Sequence, residues 1–273
     1  MYWWQEGRYP VDKGIRLEDL KVGYGTSIVL NNVNIDILPG EIVCLIGANG
    51  AGKSTVLKTI VRQLKKLGGS IIIDGANEAN LREEDVAKSV SMVMTERIHP
   101  ELMTCFEVVA TGRYPYTGRL GFLSDEDKEA VNSAIDLVGA RKIIDKDFSK
   151  ISDGQKQRIM LARAICQDTG IMVLDEPTSF LDLQYKLDIL KVIKKMAKEK
   201  NVAVLMSIHE LEFVPAIADK VIGVAGDEVY VAGSPEEVLT GENLEVMYSM
   251  SPGTGEIICS GLWNYSASIK RLL

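Results

Sequence analysis

The run Gly47-Ala48-Asn49-Gly50-Ala51-Gly52-Lys53-Ser54 fits the pattern G-x-x-x-x-G-K-[ST]. The chemistry it serves is phosphate binding. Glycines let backbone N–H groups turn toward an anion with no Cβ in the way. A helix starting at the end of the loop adds its partial positive charge. Lys53 would then reach the β- and γ-phosphates of a nucleotide, and the Ser54 hydroxyl would bind Mg²⁺. Thr55, next in the chain, belongs to the same phosphate-binding set.

Asp175 and Glu176 are the second chemical signal. They follow Ile171-Met172-Val173-Leu174, an apolar run that reads as a buried strand. Ligands of such sheets bind at the C-terminal ends of the strands. Asp175 would hold Mg²⁺ directly or through water. Glu176 would orient and deprotonate an attacking water, help typically worth ~10²–10⁴-fold. Taken alone, the pair is an acidic strand end leading into a turn. The phosphate loop elsewhere in the chain turns the reading toward a metal ligand and a base. The third signal is Ile151-Ser152-Asp153-Gly154-Gln155-Lys156-Gln157-Arg158. Ser152 is a good N-cap, and the helix after it makes a second anion site.

Strands and helices must position these groups. Glu41 to Ile46 reads as a strand ahead of the loop, and Thr55 to Arg62 has helical spacing behind it. Ile28-Val29-Leu30, Val33 to Ile37 and Ile71-Ile72-Ile73, punctuated by Pro39-Gly40 and Asp74-Gly75, predict a small antiparallel sheet. From about Pro100 to Lys150 the strand signal disappears. Leu102 to Thr111 and Asp125 to Val138 predict helices, with a loop at Gly112 to Gly118 between them. Gln155 to Gln167 and Leu183 to Lys200 predict helices alternating with strands at Ile171 to Leu174 and Val202 to Ile208. Such alternation implies a mostly parallel sheet. The expected fold class is α/β: a phosphate-loop core over 15–96 and 151–250, an N-terminal antiparallel β subdomain, an inserted helical subdomain over 97–150, and a C-terminal tail over 251–273.

Composition bounds the rest. The chain has 273 residues, 46% hydrophobic and 25% charged, enough for one large domain with a full core. A net charge of −7 does not favour a broad nucleic-acid surface, and no nucleic-acid partner is expected. No apolar run reaches the ~18 residues of a membrane span, and the first residues lack the apolar core of a signal peptide. Cys44, Cys105, Cys166 and Cys259 form no C-x-x-C pair and read as buried thiols.

The segment from Ser152 to Gln155 resembles the signature motif of ATP-binding cassette (ABC) ATPases, usually Leu-Ser-Gly-Gly-Gln. With the phosphate loop and Asp175-Glu176, the resemblance covers about residues 15 to 250. It implies ATP and Mg²⁺ as cofactors, with Lys53, Glu176 and His209 catalytic. His209 matches the switch histidine at the γ-phosphate; on its own it would read as a surface or packing residue. Tyr24 matches the aromatic that stacks on adenine, where a half-buried strand aromatic is the alternative. Ser179-Phe180-Leu181-Asp182 matches the D-loop, which makes Asp182 a candidate at the interface with a second copy. Counting back from Thr104, Thr95 stands where the family has a glutamine that touches Mg²⁺. Asp153 replaces the first signature glycine, and a carboxylate there would repel a γ-phosphate and slow turnover unless it points away or caps its own helix.

Thr111-Gly112-Arg113-Tyr114-Pro115-Tyr116 through Leu123-Ser124-Asp125-Glu126-Asp127 resembles the helical subdomain of ATPases serving iron–siderophore, haem and cobalamin importers. Gly233 to Leu239 is similar to that group's C-terminal region. Molybdate and other metal-chelate systems share these features. The resemblance implies two copies facing head to tail, each ATP lying between the phosphate loop of one and Ser152, Gly154 and Gln155 of the other. It also implies two membrane permease subunits, indirectly a substrate-binding lipoprotein, and a peripheral place on the cytoplasmic face of the membrane. The alternatives are a non-transport ABC ATPase of the translation or DNA-repair kind, a small-molecule kinase, and a slow regulatory nucleotide binder.

Overall fold

The computed structural model describes residues 13–94, 100, 102–118 and 121–273. The strands are β1 Ile15–Tyr24, β2 Ser27–Ile37, β3 Ile42–Gly47, β4 Gly68–Ile73, β5 Ala76–Asn77, β6 Val90–Val93, β7 Ile171–Asp175, β8 Ala203–Ser207, β9 Lys220–Ala225 and β10 Glu228–Gly233. Among the described residues they form one sheet in the order β5-β4-β1-β2-β10-β9-β3-β8-β7-β6. Strands β9, β3, β8, β7 and β6 run parallel, while β1 pairs antiparallel with both β2 and β4. This is the expected α/β class, with the antiparallel part at one side.

The α-helices are α1 Lys53–Ile60, α2 Glu83–Ser89, α3 Cys105–Ala110, α4 Asp125–Leu137, α5 Asp153–Cys166, α6 Leu183–Lys200, α7 Val214–Ile217, α8 Pro235–Val238, α9 Gly241–Tyr248 and α10 Thr254–Ile269. The period-2 geometry of a strand explains why β3, β7 and β8 are apolar on both faces up to their last residues, Gly47, Asp175 and Ser207. Ile42, Cys44 and Ile46 face one core together with Met172, Leu174, Val204 and Met206. The intervening Val43, Leu45, Val173 and Leu205 face a second core shared with α1 and the antiparallel strands. Both faces are covered, so no polar alternation survives, and each fully buried Ile or Leu contributes about 1.5–3 kcal/mol.

Three expectations need correction. The helix foreseen from Leu102 begins at Cys105, because Thr104 and Glu107 form a capping box there. Leu102 itself is exposed, with a φ of 60°, a left-handed value that no helix accepts. The region foreseen as a loop from Gly112 begins within a short 3-10 turn, Thr111–Arg113. The segment 251–273, foreseen as a tail, contains helix α10, which buries Leu262 and Ile269 in the first core. Of the cysteines, Cys44, Cys105 and Cys166 are buried and Cys259 is half-buried, all as free thiols. Burial pushes the Cys166 thiol up to about 12.

Candidate nucleotide site

Strand β3 ends at Gly47 and α1 starts at Lys53, so the loop spans the gap between a strand end and a helix N-terminus. Gly52, the N-cap, has a φ of 92°. A Cβ there would come within 2.7 Å of Val29 Cγ1, so both conformation and space require glycine. Lys53 is only 4% exposed. Its ammonium donates to the carbonyls of Gly47 at 2.8 Å and Ala48 at 2.9 Å, which folds it back along Ala48, Asn49, Gly50 and Ala51. Burial lowers its pKa, and the charges of Glu176 and Asp175 work against that shift.

The two carboxylates meet the loop through side-chain hydroxyls. Ser54 Oγ donates to Asp175 Oδ1 at 2.9 Å. Ser207 Oγ, in β8, donates to the same oxygen at 2.7 Å and accepts the Glu176 amide at 2.9 Å. Glu176 has left the strand and holds a φ of 49°. Its carboxylate accepts from Ser179 Oγ at 2.9 Å and lies 2.5 Å from His209 Nε2. The loop, metal-ligand, base and histidine candidates thus form one hydrogen-bonded chain at the ends of β3, β7 and β8.

A hydroxyl and a carboxylate 2.9 Å apart are hard oxygen donors of the kind Mg²⁺ takes, with phosphate and water completing its shell. Ser54 and Asp175 therefore fit the ion, which would neutralise charge on the transferred phosphate. Among the described residues no cluster of three or more His, Cys, Asp or Glu could hold a metal ion. Thr95, the third ligand expected from sequence, lies outside the described residues.

Glu210, beside His209, anchors this segment. It accepts from Lys186 Nζ at 2.6 Å and from Thr178 Oγ1 at 2.8 Å. Burial opposes its charge, but these bonds outweigh burial and hold the carboxyl below its usual range. Tyr24, at the end of β1, is 54% exposed, and Thr55 Oγ1 lies 3.5 Å from its hydroxyl. An open aromatic face therefore stands beside the loop.

The other candidates gather around two helix starts. Ser152 caps α5 by accepting the Gln155 amide, and Gln155 Oε1 accepts the Ser152 amide in return. Asp182 caps α6 by accepting the Tyr185 amide at 3.0 Å. Gly154 packs on the Tyr185 ring, and Arg158 stacks on that ring with its guanidinium carbon 4.5 Å from the centroid. Gln157 Nε2 donates to Pro177 O at 3.0 Å, tying α5 to the turn after Glu176. Asp153, the first residue of α5, approaches Lys156 at 3.9 Å.

Sequence reasoning missed Ser207. The signal lies in strand register: Asp175 pairs with Ser207 across the β7–β8 ladder. It also left the role of Arg113 unread. Arg113 donates to Asp127 Oδ1 at 2.8 Å and to the carbonyl of Cys166 at 3.0 Å, and stacks on Tyr116. The stretch from Thr111 to Asp127 therefore fastens α4 to the C-terminal end of α5.

A family model described as ABC transporter matches residues 30–179. An uncharacterised ABC transporter ATP-binding protein of Methanocaldococcus jannaschii is 41% identical over 236 residues, covering 86% of this chain and 81% of its own length. The iron(3+)-hydroxamate import ATP-binding protein of Bacillus subtilis is 32% identical over 248 residues, covering 89% and 92%. Among solved structures, an inward-facing ABC transporter assigned to the metal-chelate type superposes with a TM-score of 0.76 at 26% identity, over 86% of this chain and 88% of that one.

Proposed function

From the premise that this chain belongs to the ABC transporter family, in which such subunits bind and hydrolyse ATP, we propose that it is the ATPase subunit of an importer for iron(III) chelates or the related haem or cobalamin. One observation carries the ATPase reading: the hydrogen-bonded chain Ser54–Asp175–Ser207–Glu176–His209 beside Lys53. It brings phosphate, metal and water chemistry to one place. Lys53 takes the β- and γ-phosphates, Ser54 and Asp175 hold Mg²⁺, and Glu176 deprotonates water while His209 faces the γ-phosphate. Tyr24 stacks on the base. The similarity to an iron(3+)-hydroxamate import protein supports the cargo class.

Two copies work head to tail. Ser152, Gly154 and Gln155 at the start of α5 cover the phosphates held by the other copy, and Asp182 lies near the same seam. A 620 Å³ cleft between core and helical block, lined by Val61, Met92, Met94, Met103, Tyr114 and Arg163, suits a cytoplasmic helix of a permease subunit. No described helix is long and apolar enough to cross a membrane. The transmembrane path belongs to two permease subunits on whose cytoplasmic side this chain works, with a binding lipoprotein delivering cargo.

The test is turnover by the chain assembled with a co-expressed permease in vesicles. Binding protein loaded with ferric hydroxamate, haem or cobalamin is expected to stimulate ATP hydrolysis. No stimulation by any of the three would sink the cargo assignment. Asp153 at the start of α5 favours a second reading, a slow regulatory subunit; the basal turnover number separates the two.

A further inference from the structure

Gly47 is buried, and its φ is 144°. A Cβ there would lie 2.5 Å from Val224 O, so the loop leaves β3 pressed against β9. A buried backbone N–H needs an acceptor. That of Gly47 donates to Tyr248 Oη at 3.2 Å, across 201 positions of sequence. The other side of the same residue is also engaged, since Gly47 O accepts from Lys53 Nζ at 2.8 Å.

Tyr248 is the last residue of α9, and α9 is firmly held. A Cβ on Gly223 of β9 would lie 2.3 Å from Met247 Sδ, so this helix sits directly on the strand. Helix α10 locks α9 in turn. The Gly255 amide donates to Glu245 Oε1 at 3.0 Å, and a Cβ on Gly255 would lie 2.1 Å from Gly241 O. Burial drives the phenol up to about 12.

We propose that Tyr248 is a positioning residue for nucleotide binding: its hydroxyl orients the Gly47 amide at the entrance of the phosphate loop, and α9 with α10 form the brace that holds it. The inference rests on the nucleotide-binding reading. When Lys53 turns from the Gly47 carbonyl to a phosphate, the Tyr248 bond remains to keep the loop in shape. The C-terminal helices thereby gain a part in the site, although none of their side chains belongs to the known chemistry.

Tyr248→Phe removes the hydroxyl and keeps the ring. ATP and ADP binding to the full chain are measured by calorimetry, and kcat and KM by steady-state hydrolysis. A lost net hydrogen bond predicts nucleotide dissociation constants and KM raised about 3–10-fold, with kcat within about twofold of wild type. A purely structural role would instead lower the active fraction, reducing kcat and leaving KM. Val131→Ala, which weakens the packing of α4 away from α9 and α10, is the control and should retain affinity below its own melting temperature. Wild-type affinity in Tyr248→Phe, or an equal loss in Val131→Ala, would overturn the proposal. Absence of ATP binding by the wild-type chain would overturn the nucleotide reading itself.

Discussion

Ser207 is hydrogen-bonded to Asp175 across the β7–β8 ladder, its hydroxyl 2.7 Å from Oδ1. One fully buried serine thus ties the metal-ligand candidate to the base candidate, because the same oxygen accepts the Glu176 amide. Ser207→Ala leaves that amide without its acceptor and costs about 1–3 kcal/mol of stability. Loosening both carboxylates should also lower kcat by roughly tenfold. Urea unfolding and steady-state hydrolysis measure the two effects. Unchanged kcat would show that Ser207 serves packing only.

Glu176→Gln keeps the shape of the side chain and removes the base. Turnover is expected to fall by ~10²–10⁴-fold while ATP binding persists. In the proposed head-to-tail pair, a variant that keeps its ATP should stay closed and run as a dimer in size exclusion with ATP. Turnover near wild type would reassign the base.

Asp153→Gly separates two effects of one carboxylate. An acid in the first turn of α5 stabilises that helix by about 0.3–1 kcal/mol, so the variant should melt slightly lower. In the proposed pair this helix end covers phosphate, so the same change removes negative charge there and kcat should rise. Thr95→Gln is the companion variant. If neither changes turnover, these departures do not set the rate.

Asp127 gives a pH signature. The hydrogen bond from Arg113 holds its carboxyl below the ordinary value of about 3.9. A depressed folded-state value means that the pair stabilises the fold above about pH 4, and that this contribution is lost as pH falls through the lower folded value. Asp127→Asn should therefore lower the urea midpoint at pH 7. The gap from wild type should close below pH 4. A gap that does not change with pH would show that the ion pair contributes nothing.

Much of this was legible in the residues. The phosphate loop announces itself because glycines and a lysine at fixed spacing have few other uses. Strands β3, β7 and β8 are legible because cores on both faces leave them apolar up to their last residues. Leu102 misled because an apolar residue near a helix suggests periodicity; the Thr104-x-x-Glu107 box two residues on was the better signal. Ser207 and Tyr248 were illegible for one reason. Their partners are set by register and docking between distant segments, and a serine or tyrosine carries no local mark of its hydrogen-bond partner. Asp182 shows the converse: its capping of α6 is local, and could have been read from the apolar helix that follows.

The bond between Gly47 and Tyr248 also bears on how the protein is made. Its partners lie 201 positions apart, and translation at about 5–20 residues per second separates their emergence by roughly 10–40 s. During that interval the glycine-rich loop exists without its tyrosine, and for most of it β3 has neither β8 nor β9 beside it. A half-made chain thus lacks the brace of its phosphate loop, and ATP lends the fold its full stabilisation only once synthesis has passed α9.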